Sequence, residues 1–253
     1  MDYIARKTLL YRSGVEYAQH TINHVLGCSH ACTYPCYAYL LAKRFGKVKS
    51  FDEWCQPKLV LNAKSLLEKE LEKSHSKIQT VHLCFTTDPF MYGFPEIINE
   101  SVELIRIIND YNIPVSALTK GVLPQTLVNS QKINQYGITL VSLSDDFVKQ
   151  YEKGAAPIAE RISALANLSQ NGFSTWVSIE PYPTPNIIIQ DFDVLLNSIK
   201  FVDKIVFGRL HYNKQVTAYP GYQAFYDALC ERLVSFCIEN NIEYHIKKGT
   251  QSS

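Results

Sequence analysis

The sequence predicts an α/β fold, a partial (β/α)6 barrel of the TIM type, and three observations predict it. Short apolar runs rich in β-branched and aromatic residues alternate with amphipathic segments, the pattern of parallel strands joined by right-handed helical crossovers. No long linker, low-complexity tract or internal repeat breaks the alternation. Each run ends on polar or chemically active side chains, as expected where barrel strands deliver residues to their C-terminal face.

The strand runs are His24-Val25-Leu26, Val81 to Phe85, Pro114 to Leu118, Ile138 to Leu143, Thr175 to Ile179 and Lys204 to Phe207. Between them, Ala63 to Ser74 sets Leu66, Leu67 and Leu71 among charges, an amphipathic helix. Glu96 to Tyr111 repeats Ile97, Ile98, Val102, Leu104, Ile105 and Ile108 at helical spacing. Ala159 to Gln170 and Gln190 to Ile199 follow the same pattern, and a helix over Ala224 to Asn240 with a strand at Tyr244 to Ile246 closes the barrel. One domain over 1–253 is expected, its core spanning about 20–210, since α/β barrels of this length form single units. The strand ends are Cys28, Thr86-Thr87-Asp88-Pro89, Thr119-Lys120, Ser142 with Ser144, Glu180-Pro181, and Arg209 with His211.

Apolar residues at 46% and charged residues at 19% can build a sizeable core. A net charge of +1 gives no global field to recruit nucleic acid or an anionic membrane. No stretch approaches the ~20 apolar residues of a membrane span, and the start, Met1-Asp2-Tyr3-Ile4-Ala5-Arg6-Lys7, lacks the apolar core of a secretion signal. A cytoplasmic protein is expected, in which the seven cysteines are free thiols or metal ligands rather than disulfides. Cys55, Cys84, Cys230 and Cys237 stand apart and read as small buried hydrophobes.

Cys28, Cys32 and Cys36 share one short segment, Gly27-Cys28-Ser29-His30-Ala31-Cys32-Thr33-Tyr34-Pro35-Cys36-Tyr37. Three thiolates on one loop suit three irons of a 4Fe–4S cluster, leaving the fourth open to a small molecule. Zinc held by the three cysteines and His30 is an alternative, although structural zinc usually draws on a second, distant ligand pair. Three unrelated buried cysteines are another.

The segment resembles the cluster motif of the radical S-adenosylmethionine (radical SAM) superfamily, and within it the spore photoproduct lyase-like branch. The same order continues through Thr87-Asp88-Pro89-Phe90 with Glu96, Pro114 to Lys120, Ala156-Pro157 with Arg161-Ile162, and Trp176 to Pro181. One departure stands out: Pro35 lengthens the family's Cys-x3-Cys-x2-Cys to Cys-x3-Cys-x3-Cys. The resemblance implies the radical SAM fold and a 4Fe–4S cluster whose open iron S-adenosylmethionine chelates. It also implies reductive cleavage to a 5′-deoxyadenosyl radical that takes hydrogen from a substrate, nucleic acid among the options in lyase or repair chemistry, and an electron donor of the flavodoxin or ferredoxin type. The non-catalytic alternative is an iron–sulfur or zinc module that binds nucleic acid or a protein.

By the resemblance Cys28, Cys32 and Cys36 hold the metal, and Tyr34, Tyr37, Thr87, Lys120, Ser142, Ser144, Arg161 and Glu180 contact the cofactors. Tyr37 and Cys84 are the catalytic candidates, Cys84 as a hydrogen-atom donor; its other reading is a buried structural thiol. Arg161 either pairs with a carboxylate in the site or forms a helix-surface ion pair. The basic run Lys43 to Lys49 either meets phosphates or is a solvated face.

Overall fold

The computed structural model describes residues 1–14 and 19–252. The chain runs β1 (Asp2–Ile4), β2 (Leu10–Arg12), β3 (His20–Ile22), β4 (Val25–Leu26), α1 (Tyr37–Arg44), α2 (Phe51–Trp54) and β5 (Lys58–Val60). It continues with α3 (Ala63–Ser74), β6 (Val81–Leu83), α4 (Pro95–Asn109), β7 (Val115–Thr119), β8 (Gln135–Thr139), α5 (Asp145–Tyr151) and α6 (Ile158–Gln170). β9 (Ser174–Tyr182), α7 (Phe192–Ser198), β10 (Lys204–Arg209), α8 (Lys214–Ala218), α9 (Tyr222–Glu239) and β11 (Glu243–Ile246) complete it.

The main sheet has the order β11-β10-β9-β8-β7-β6-β3-β2. All neighbours from β3 to β11 pair in parallel, and β2 adds an antiparallel edge. β2 and β11 do not pair with each other, so the barrel stays open, and β11 extends an edge where the sequence predicted closure. A small sheet, β1-β5-β4, sits beside it and carries the chain from β4 to Cys28.

The helices form because their apolar faces have the sheet to bury against. Leu67 and Leu71 of α3, Leu104, Ile105 and Ile108 of α4, and Leu165 and Leu168 of α6 are almost fully buried with Val81, Leu83, Val115, Ile138 and Val177 of the strands. Each such side chain contributes roughly 1.5–3 kcal/mol by leaving water. Pro95 starts α4 at a position where its missing N–H costs nothing. Ser144 caps α5 by accepting from Phe147 N, and Asp191 caps α7 by accepting from Asp193 N and Val194 N.

Two strands differ from the sequence reading. The first strand of the main sheet is His20–Ile22, whereas Val25 and Leu26 pair antiparallel with Leu59 and Lys58 in the small sheet. His20 and Thr21 are buried, and Thr21 Oγ1 donates to His82 O at 2.8 Å. A strand whose polar side chains are bonded inside has no hydropathy signal. β8 lies over Gln135–Thr139, earlier than the apolar run at Ile138 to Leu143, because the Tyr136 hydroxyl is satisfied by Ser130 and Asn134. The chain leaves the sheet after Leu140, whose N–H donates to Ser178 O.

Two histidines lie inside. His24 bonds Ser101 Oγ at 2.8 Å, and its pKa is pushed down to about 3 by burial, with Arg6 adding to the effect. His82 faces Ser116 Oγ at 3.2 Å, and burial pushes its pKa down to about 4. Both are neutral when folded and take up a proton more readily when unfolded, so stability falls with pH below their ordinary value near 6.5. The loss should approach about 1.4 kcal/mol per pH unit for each histidine between pH 6 and the folded values. Urea unfolding at pH 7 and pH 5 checks this: His82→Asn should flatten the pH slope, and an unchanged slope would show that His82 is charged when folded.

Candidate active site

The site is built on the cysteine loop. Gly27 turns the chain out of β4 at φ 90°, and a Cβ there would lie 2.6 Å from Trp54 O, so only glycine fits. Cys28 N donates to Trp54 O at 2.8 Å, tying the loop to the end of α2. Ala31 also has φ > 0, at 49°. From the other side the segment after α5 presses on the loop. Cys32 and Glu152 form a β-bridge, Thr33 N donates to Tyr151 O, and Gly154 N donates to His30 O. A Cβ on Gly154 would stand 2.0 Å from Ser29 O.

Held this way, Cys28, Cys32 and Cys36 line one pocket of about 180 Å³ at the C-terminal ends of β6, β7 and β8. Its other walls include His82, Thr87, Asp88, Lys120 and Thr139, with Trp54, Phe85 and Leu118 as apolar cover. Pro35 does not carry Cys36 away from the other two; Tyr34, just before it, turns inward and is buried.

Behind the pocket lies a buried charge network. Glu152, 1% exposed, accepts from Lys120 Nζ at 2.8 Å, Arg161 Nη1 at 3.0 Å and Tyr34 Oη at 2.7 Å. Burial acts to raise the Glu152 pKa, but Lys120 and Arg161 hold it below its ordinary value. Burial acts to lower that of Lys120, but Cys32 and Glu152 hold it raised. Lys120 Nζ also reaches Cys32 Sγ at 3.6 Å and touches the Tyr34 hydroxyl. Asp88 organises the adjoining rim: it accepts from Thr119 Oγ1 at 2.6 Å and Lys120 N at 2.8 Å, and meets His30 Nδ1 at 3.4 Å.

The donor set fits an iron–sulfur cluster better than a single ion. Among the described residues no group of three or more His, Cys, Asp and Glu converges on one metal-ion position. A cubane takes one thiolate on each of three separate irons. His30, the extra ligand a zinc site would need, is engaged by Asp88 and by Tyr92 N. Burial raises the pKa of Cys28 and Cys32 and pushes that of Cys36 up to about 11. These thiols keep their protons until a metal displaces them.

Several predicted site residues stand elsewhere. Ser144 is the cap of α5, and Ser142 Oγ accepts from Ser144 N, so both serve the turn after β8; Thr139 is the residue that reaches the pocket. Arg161 is not a surface residue: it is 1% exposed, bonds Ala156 O, Thr139 O and Glu152, and supports the pocket from behind. Tyr34 is one step removed, through Lys120 and Glu152. Tyr37 is 53% exposed with its ring against Phe85 and does not line the pocket. Glu180 lies further along the sheet, 3.7 Å from Lys247. Cys84 does line the pocket, with φ 57° and its sulfur 3.4 Å from His24 Nδ1. Glu152 escaped the sequence reading because it sits at the end of an exposed helix with no motif around it. Asp88 was visible as a strand-end residue and within the Thr87-Asp88-Pro89-Phe90 motif, but was given no role in the site. Lys43 and Arg44 end α1 on an exposed face, beside Phe45.

A three-cysteine loop over the C-terminal rim of an open parallel β/α sheet defines a cofactor-dependent half-barrel enzyme. The chain belongs to the radical SAM superfamily, whose model matches residues 22–199, and it is accordingly a radical SAM enzyme with a 4Fe–4S cluster and S-adenosylmethionine as cofactors. No curated protein matches the chain significantly. Among solved structures, a spore photoproduct lyase double mutant with bound AdoMet and dinucleoside spore photoproduct matches with a TM-score of 0.68 at 13% identity, over 96% of this chain and 80% of that one. The lyase complexed with dinucleoside spore photoproduct gives 0.67 at 14% identity, over 96% and 80%. Streptococcus suis SuiB bound to S-adenosylmethionine gives 0.51 at 12% identity, over 71% of this chain and 42% of that one. At these identities the likeness is one of fold.

The contact at Gly154 yields a test. Gly154→Ala should displace the cysteine loop and lower the iron bound after anaerobic reconstitution by more than half. Iron content and far-ultraviolet circular dichroism check it; full iron loading would show that the loop tolerates the shift.

Proposed function

We propose that Cys28, Cys32 and Cys36 ligate the cluster in this pocket and that S-adenosylmethionine lies across Thr87, Thr139 and Lys120. We further propose that the substrate is a nucleic acid, in chemistry of the lyase or repair type. The observation that carries the reading is the placement of all three cysteines and Lys120 in one pocket at the C-terminal end of parallel strands. The nucleic-acid part draws on likeness to a lyase solved with a dinucleoside photoproduct. The whole chain acts as one domain, in the cytoplasm, and takes its electron from a flavodoxin or ferredoxin type of donor.

When bound, the cluster and S-adenosylmethionine supply reductive cleavage of a sulfur–carbon bond and the resulting carbon radical. The chain's own residues bind, orient and shield. Lys120 presents a positive charge fixed by Glu152, suited to a carboxylate through a charge-assisted hydrogen bond. Trp54, Phe85 and Leu118 keep water from that side of the pocket. Burial pushes the Cys84 pKa up to about 12, so the thiol retains its hydrogen, which supports a hydrogen-atom donor role. The bond to His24 supports the structural reading of the same thiol.

Two measurements test this. Anaerobically reconstituted protein should hold about four irons per chain, the content of one cubane, and form 5′-deoxyadenosine on reduction. Replacing any of the three cysteines by Ala should abolish both, and a protein that takes up only zinc would rule the cluster assignment out. Lys120→Ala should weaken S-adenosylmethionine binding roughly tenfold to a hundredfold, the ~1.5–3 kcal/mol of a charged hydrogen bond, with the cluster retained. Equal affinity by calorimetry would place the cofactor carboxylate elsewhere.

A further inference from the structure

The same end of the sheet carries a further cavity, between the end of β10, the start of α9 and the segment after β11. It measures about 430 Å³, within the range of small-ligand sites, and is lined by Arg209, Gln223, Gly249, Thr250, Gln251 and Ser252. Arg209 ends β10, so it leaves the sheet at the C-terminal rim on which the cysteine pocket also opens. Its guanidinium lies 5.6 Å from the Tyr222 ring, and it forms no ion pair among the described residues. Its Nε is buried and has no hydrogen-bond partner. A buried cationic donor left unmatched is costly. Nearby acids are engaged: Glu180 lies beside Lys247, and Asp227 Oδ1 accepts from Ser252 N. The guanidinium is therefore left with donor capacity at the cavity, and its fork suits phosphate.

One wall of the cavity leads to an aromatic step. A Cβ on Gly249 would lie 3.6 Å from the His211 ring, and His211 packs 6.0 Å from Tyr212. Tyr212 is 80% exposed and held at φ 57°, a backbone state that tyrosine seldom adopts. An exposed ring three residues on from Arg209, reached from the cavity wall through His211, offers a stacking surface for a base.

We infer that Arg209 and Tyr212 form a nucleotide-binding subsite for the substrate, Arg209 taking a phosphate and Tyr212 stacking a base. The inference rests on the proposed nucleic-acid reading and names where the polymer or a free nucleotide is gripped. β10 lies three strands from β7 in the sheet order, ~14 Å along it at ~4.8 Å per strand. That is a span of a few nucleotides, so a unit bound here can belong to the same molecule as a group presented at the cysteine pocket.

The test uses the reconstituted full chain, titrated with a nucleoside 5′-monophosphate, the matching nucleoside and a short single-stranded oligonucleotide. The monophosphate should bind about tenfold or more tightly than the nucleoside, the worth of a charge-assisted contact. Arg209→Gln should erase that preference, and Arg209→Lys, which keeps the charge and loses the fork, should retain part of it. Tyr212→Ala should weaken nucleoside and nucleotide alike and leave the preference intact. Tighter binding of the oligonucleotide than of the monophosphate assigns the phosphate to a polymer; equal binding assigns it to a free nucleotide, and either result supports the subsite. Equal affinity for nucleoside and nucleotide in the unaltered protein, or a preference that survives Arg209→Gln in protein with an unchanged melting temperature, overturns it. Iron content and 5′-deoxyadenosine formation without substrate are read in parallel on the unaltered protein. Their absence would overturn the cysteine-pocket reading while leaving a phosphate preference standing.

Discussion

The carboxylate of Glu152 is the contact on which the site depends. It is 1% exposed, and it joins elements that are distant in sequence: Tyr34 of the cysteine loop, Lys120 after β7 and Arg161 of α6. Its backbone meanwhile bridges Cys32. Two cations share one anion, and a buried charge left without its partner costs ~3–5 kcal/mol. Loss of Glu152 would strand both cations, whereas loss of either cation leaves Glu152 the other as a partner. The network therefore does little for net stability relative to an apolar core, and much for geometry: it fixes one position for Lys120 and one path for the loop after α5.

That constraint explains how a loop with an added proline keeps its cysteines together. Pro35 restricts its own φ and biases Tyr34 toward extended backbone. The buried Tyr34 hydroxyl then finds Glu152, which anchors the loop between Cys32 and Cys36. The extra residue is taken up by a side chain turned inward, and the pocket still receives all three sulfurs.

The parts legible in the sequence were those written in local periodicity. Ala63–Ser74 is the helix its Leu66, Leu67 and Leu71 spacing describes, and β7 and β10 coincide closely with apolar runs. The cysteine spacing and the strand-end Lys120 and Thr87 were legible because they are contiguous with those elements. What stayed hidden depends on tertiary partners. β3 is polar and buried because Thr21 bonds across to β6. Arg161 looks like a surface residue of an amphipathic helix until Glu152 and two backbone carbonyls are brought to it. Ser142 and Ser144 looked like strand-end ligands because the apolar run continues past Thr139, where the sheet ends.

The polar rim divides into halves of unlike electrostatic character. Around Lys120 the charges are closely knit: Glu152 accepts from Lys120 and Arg161, and Asp88 accepts from Thr119 and the Lys120 N–H, while Arg161 Nη2 is buried without a partner. Paired charges hold a reactive pocket in place and leave little net field of their own. Around Arg209 the cation has no such pair among the described residues, and its buried Nε has nothing to donate to. The cysteine pocket takes apolar cover from Trp54, Phe85 and Leu118, and the Arg209 cavity presents a guanidinium whose buried Nε has no partner. Because the sheet does not close between β2 and β11, the two halves share a rim without sharing walls. With the proposed subsite at β10, substrate grip can therefore vary without disturbing the cysteine loop at β4 and α5.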